Sequence, residues 1–283
     1  MTVLEHTTPP SALVVPTKQR RLTLAPGIAV SWLVIGTTIA WALAPSWFTS
    51  YSPLEGDSDA SFEPPSSDHL FGTDRLGRDL LARTIYGTAT TVSATLLAVA
   101  LGFVIGSAIG LFSGFIGGRT DSVIMRFVDV LLAIPGLLLA MTVVTALGYG
   151  TVNIAVAVGI SAVAAFARVM RSEVLKVAGT DYVEAAYGSG AGFRRVLLRH
   201  VLPNSVAAVV SLAALECGSA VLAVAALGFL GYGAPPPQPE WGLAVAEGRD
   251  YLATYPWISI LPGVLIAVVV LATNRIGRSI GES

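Results

Sequence analysis

Charge is the scarcest ingredient of this sequence. Asp, Glu, Lys and Arg make up 12% of its 283 residues, against about 25% in an ordinary soluble domain. Lysine occurs only as Lys18 and Lys176, and no G-x-x-x-x-G-K loop followed by Ser or Thr is present. That device for cradling nucleotide phosphates is therefore missing, as are the G-x-S-x-G elbow and the H-E-x-x-H pair. A single cysteine, Cys217, excludes an intrachain disulfide and a four-thiolate zinc site. In its apolar run it reads as a small buried hydrophobe. His6, His69 and His200 are too scattered for paired metal ligation. A net charge of −1 supplies no field to draw nucleic acid. Enzyme, metalloprotein and nucleic-acid binder are all disfavoured, and no metal or cofactor is expected in this chain.

What the sequence does contain is long apolar runs. Hydrophobic residues reach 54% and the mean hydropathy is +0.72, the profile of an all-α membrane protein with several crossings. Residues 1–26, with Pro9, Pro10 and Pro16, read as a polar tail. No small-residue cleavage motif follows the first apolar run, so no cleavable signal is expected. Residues 27–48 carry no charge and can span, since about 20 apolar residues cross the hydrocarbon core. Residues 49–87 form a loop outside the bilayer, with Glu55, Asp57, Asp59, Glu63 and Asp68, and a helix starts near Asp79. A second span centres on Thr90 to Phe112, where Gly102, Gly106 and Gly110 form a flat stripe for close helix packing, preferred here over a pathway surface.

The third span runs from Arg126 and Asp129, an expected ion pair on one helical face, to Leu147, with a kink at Pro135. Gly148-Tyr149-Gly150 turns the chain into a fourth span, from about Asn153. The fifth covers Ser205 to Leu230 and the sixth Ile258 to Asn274. Residues 88–275 thus hold five helices, and 276–283 a short tail. Six spans put both termini on one side of a cell membrane. Thirteen lysines and arginines fall on that side against four, Arg75, Arg78, Arg83 and Arg249, on the other, which makes the termini cytoplasmic.

Within the spans, only Glu216 is an ionisable group well inside the membrane. It reads either as a contact for a cationic part of a solute, or a gate, or as a hydrogen-bonded carboxyl between helices. One such group is too few for ordinary ion coupling, so the energy for transport must enter elsewhere. The candidate is a polar island between spans four and five, DYVEAAYGSGAGFRRVLLRHVLPN (Asp181 to Asn204). A hairpin of this polarity lies outside the bilayer, where another protein can read it.

Glu184-Ala185-Ala186, Gly190 six residues after Glu184, and Leu202-Pro203 resemble the EAA loop of ABC importer permeases. FGTDRLGRDLLARTIYG (Phe71 to Gly87), RHVLPN (Arg199 to Asn204) and LGFLGYGAPPPQPEWGLAVAEGRDYL (Leu227 to Leu252) are similar to DppC/OppC-type permeases of the peptide/opine/nickel family. The resemblance covers about residues 27 to 275. It implies a type I ABC importer transmembrane fold and a subunit importing di- or oligopeptides, or another small solute such as a nickel chelate or haem. It also implies a homologous DppB-type permease, one or two ATPase subunits that bind the ATP and magnesium, and an extracytoplasmic solute-binding protein. Membrane lipid surrounds them.

By the same resemblance, Asp181, Tyr182, Glu184, Ala185, Ala186, Gly190, Leu202 and Pro203 belong to the ATPase-coupling loop, with a coupling helix over Tyr182 to Ser189. The loop holding Pro235, Pro236, Pro237, Trp241 and Arg249 is either a docking surface or gate for the binding protein, or a rigid turn. Two departures stand out. Gly188, Gly190 and Gly192 replace a bulkier pattern and should shorten the coupling helix, at about 1 kcal/mol each relative to Ala. The C-terminal tail is also short.

Overall fold

A computed structural model describes residues 26–281. His6, Lys18, Arg20, Arg21 and all of the expected N-terminal tail except Pro26 lie outside the described residues, as do positions 282–283.

Ten α-helices follow one another among the described residues, with no strand between them: α1 (Pro26–Leu43), α2 (Leu80–Ile116), α3 (Gly118–Ala133), α4 (Gly136–Leu147), α5 (Thr151–Ala178), α6 (Asp181–Gly188), α7 (Phe193–Val196), α8 (Leu202–Phe229), α9 (Trp241–Glu247) and α10 (Trp257–Gly281). Five helical stretches are long and apolar enough to cross a membrane, namely α1, α2, α5, the α7–α8 stretch and α10. The bent α3–α4 pair, taken as one span, makes six. Large apolar side chains such as Leu33, Val104, Phe127 and Leu271 stand exposed on the outside, where lipid rather than water solvates them.

The centre of the bundle is the packing of α2 on α5. A Cβ at Gly102 would stand 3.2 Å from the carbonyl oxygen of Gly159, and Cβ atoms at Gly106 and Gly110 would collide with the carbonyls of Val163 and Ala167. The expected glycine stripe is therefore a packing surface, on which the two backbones meet. Phe166, Met170 and Val174 of α5 are fully buried along this seam.

The third span differs from the expected kinked helix. Ile134 is extended (φ −87°, ψ 128°) ahead of Pro135, and α3 and α4 meet at 95°. Proline disfavours helical geometry in the residue before it and lacks a donor of its own, so the helix stops and a second one restarts at Gly136. The expected Arg126–Asp129 pair is also corrected. Asp129 accepts from Arg168 Nη2 of α5 at 2.5 Å, while Asp121 takes both Arg171 Nε and Nη2 (2.5 and 2.6 Å) and the Ser113 hydroxyl (2.6 Å). Partners 39 and 50 residues apart outcompete the near neighbour. They pin α3 across α5.

At the opposite end of the bundle, the loop before α2 is an ordered cap. Asp79 accepts the Ala82 N–H at 2.6 Å and also meets His69 Nδ1 at 2.8 Å. Asp74, Arg78 and Arg83 are at most 4% exposed. Arg78 Nε donates to Asp74 (2.6 Å), and Arg83 Nη2 reaches Glu247 at the end of α9 (2.8 Å). This ion cluster clamps the loop, α2 and α9 together.

The proline-rich segment after α8 folds inward, which hydropathy alone did not predict. Glu240 caps α9 by accepting the N–H groups of Gly242 and Leu243, both at 2.8 Å. Burial pushes the Glu240 carboxyl above the usual range, and those backbone donors, with Thr91, pull it back. Trp241 is fully buried and donates its indole N–H to the Thr84 carbonyl at 3.0 Å. Its expected place on a docking surface is corrected: an aromatic residue following a buried cap enters the bundle. Pro235, Pro236, Pro237 and Arg249 remain exposed. Helix α10 runs on through positions 276–281, so most of the expected tail is the last turns of that helix.

Candidate functional site

Two regions concentrate the sequence-predicted site residues. The first is the hairpin between α5 and α8. Helix α5 ends at Ala178, the Thr180 hydroxyl donates to the Val177 carbonyl (2.5 Å), and α6 begins at Asp181. Asp181 and Glu184 lie in its first turn, where carboxylates complement the helix dipole. Val183 is 1% exposed and anchors the helix, and Ala186 and Ala191 pack on the main core. The other face, Asp181, Tyr182, Glu184, Ala185, Tyr187 and Gly188, is exposed. Two carboxylates make this face acidic, and Ala185 and Gly188 lie beside the exposed rings of Tyr182 and Tyr187.

The helix spans eight residues, as many as expected, but begins and ends one residue earlier than expected. Gly190 ends the turn at φ +85°, a conformation that favours glycine, and its N–H donates to the Tyr187 carbonyl at 2.9 Å. The return limb is tied down in three places. Phe193 packs its ring 4.6 Å from that of Phe115 at the end of α2. Tyr182 Oη donates to the His200 carbonyl at 3.3 Å, and Asn204 Nδ2 donates to the same oxygen at 2.6 Å. A π-helical turn over Leu197–Val201 then feeds α7 into α8, with Leu202 and Pro203 in the first turn of α8. Arg194, Arg195 and Arg199 face outward. The hairpin is thus a polar segment tied back to α2 and α6, and its two ends continue into membrane-spanning helices.

The second region surrounds Glu216, half-way along α8. It lines a cavity of about 260 Å³ together with Ser219 of α8, Ser161 and Ala162 of α5, and Gly136 and Leu137 of α4. Cys217, one residue on, is partly buried against the main core. The exposed Pro235–Pro237 and Arg249 lie at the other end of the bundle, and Trp241 does not join them. Sequence reasoning missed the Asp74–Arg78–Arg83–Glu247 cluster. Its signal was available: four charges at the mouths of apolar segments in a charge-poor chain.

A bundle of five or six apolar helices, with an exposed acidic helix slung between two of them, is the architecture of a membrane-embedded subunit. The chain belongs to the family of binding-protein-dependent transport system inner membrane components, which it matches over residues 106–281. It is a transmembrane permease subunit of an ABC importer, not an enzyme.

It is 40% identical over 248 residues to the di/tripeptide transport system permease protein DppC of Pseudomonas aeruginosa, covering 86% of this chain and 82% of that protein. It is also 40% identical over 227 residues to the glutathione transport system permease protein GsiD of Pectobacterium atrosepticum, covering 80% and 75%. Among solved structures, an inward facing conformation of the MetNI methionine ABC transporter shares the fold. The TM-score there is 0.56 at 21% identity, over 71% of this chain and 96% of that one.

Proposed function

We propose that this chain forms one half of the translocation pathway of a di- or oligopeptide importer in the cell membrane, with both termini cytoplasmic. The other half is a homologous DppB-type permease, and one or two ATPase subunits bind the ATP and magnesium. An extracytoplasmic binding protein delivers the solute at the end bearing Pro235–Pro237 and Arg249. The observation that carries this reading is the exposed face of α6 on a hairpin continuous with α5 and α8. A helix seated in a groove of an ATPase moves when that groove moves. Through the ties at Val183, Phe193 and Asn204, the displacement passes into two spans and alternates access across the bilayer. The peptide substrate rests on the relatives whose names specify dipeptide or glutathione transport.

Reversing the charge of the coupling face tests the assignment. Glu184→Lys, exposed and free to change without disturbing the core, should leave the complex assembled and ATP hydrolysis running. Peptide uptake in proteoliposomes should fall by about tenfold or more, the loss of one well-placed charged contact. Uptake per ATP equal to wild type would refute the coupling role of α6.

A further inference from the structure

We propose that Glu216 is the pathway contact for a cationic side chain of the solute, such as a lysine ammonium. The inference rests on the transport reading above and names what the solute meets at mid-depth.

Position comes first. Glu216 stands at the middle of α8 (Leu202–Phe229), about 20 Å of helix from either end at 1.5 Å per residue. It is the only charged residue between Arg199 and Glu240. A carboxylate at that depth is costly, and the usual compensation is a partner. Elsewhere in this protein the compensation is plain. Asp74 is held by Arg78, and Asp121 by Arg171 and Ser113. Glu216 has neither a hydrogen bond nor an ion pair among the described residues. Instead of bridging two helices, as a structural carboxyl would, it borders open space.

The chemistry of that space agrees. The cavity of about 260 Å³ is walled by alanines and Leu137, with Ser161 and Ser219 as its other polar side chains. Ser161 spends its hydroxyl hydrogen on the Val158 carbonyl (2.7 Å), which leaves its oxygen as an acceptor. A carboxylate, a hydroxyl oxygen of this kind and apolar walls suit a donor-rich cation on a small organic body. They offer no cationic group to an anion. Ser219 is exposed and lies three residues from Glu216, on the same face of α8. The carboxylate is thereby reachable from the exposed side of α8.

The assembled importer, reconstituted with its partner subunits and binding protein, provides the test. Uptake of radiolabelled Ala-Lys and Ala-Glu is compared, each normalised to its binding by the binding protein alone. A contact with the side-chain ammonium favours Ala-Lys, which carries that group, over Ala-Glu, which does not. Glu216→Gln should lower the normalised Ala-Lys to Ala-Glu ratio by about tenfold while ATP hydrolysis stimulated by the binding protein continues, and Glu216→Asp should restore part of it. Ser219→Lys, which sets an ammonium beside the carboxylate at an exposed position, should depress the ratio in the same direction and decides the matter if Glu216→Gln fails to assemble.

An unchanged ratio overturns the proposal, whether total uptake is retained or falls equally for both dipeptides. The latter result would make Glu216 a structural or gating group. Wild-type importer that moves neither dipeptide would instead overturn the peptide-transport reading, and this inference with it.

Discussion

Asp74 shows how a few charges are used when charge is scarce. Its carboxylate accepts the backbone N–H groups of Leu76 (2.8 Å) and Arg78 (3.0 Å) as well as Arg78 Nε, at 2% exposure. Removing one member of such a set strands the others, and buried arginines without partners are costly. Asp74→Ala should therefore destabilise the protein by about 3–5 kcal/mol, read as a lowered unfolding midpoint in detergent. Arg249→Ala should stay within about 0.5 kcal/mol, because its pair with Asp250 is solvent-exposed at both ends. Equal effects would remove the cluster's claim to hold the cap. At this scale sequence was a poor guide to partners. Asp129 and Arg126 sit one helical turn apart, yet Asp129 pairs with Arg168, because which cation reaches it depends on how α3 crosses α5.

Helices were the most legible level. Uncharged runs and the turn at Gly148–Gly150 place α5 and α8 within a few residues, because apolar length and turn chemistry are local properties. By contrast, α1 stops at Leu43, short of the expected Phe48, and α10 continues past the expected Asn274 to Gly281. The glycine stripe also supports a sharp expectation. Gly106→Leu would drive a side chain into the Val163 carbonyl and the Phe166 Cβ, whereas a Cβ added at Gly36 would meet nothing within 4 Å. Gly106→Leu should cost more than the about 1–3 kcal/mol usual for overpacking, and Gly36→Leu should be tolerated. Monodisperse elution in detergent distinguishes them, and a well-behaved Gly106→Leu protein would contradict the seam. What local signals did not convey was the size of the bend at Pro135 or the existence of α9. Both are decided by neighbours: α9 forms where Glu240 finds two backbone donors and Trp241 finds the Thr84 carbonyl.

For the whole molecule, the proposed coupling requires that displacement of the hairpin pass into the rest of the bundle. The Phe193–Phe115 contact joins the hairpin's return limb to α2, the longest helix, which in turn is packed on α5. Phe193→Ala should remove about 0.5–1.5 kcal/mol of aromatic contact and more besides in buried area. It should lower uptake per ATP hydrolysed without abolishing assembly. Unaltered stoichiometry would mean that α2 is not part of the lever.

Membrane residence and the rough number of long apolar helices follow from sequence alone, since hydropathy is written residue by residue. Tertiary structure decided the rest. It showed that the hairpin's return limb is tied to α2 and α6, that Trp241 is inside, and that Glu216 lines a cavity with no hydrogen bond or ion pair among the described residues. Each of these depends on residues brought together from distant parts of the chain, and spacing along the chain carries no record of that.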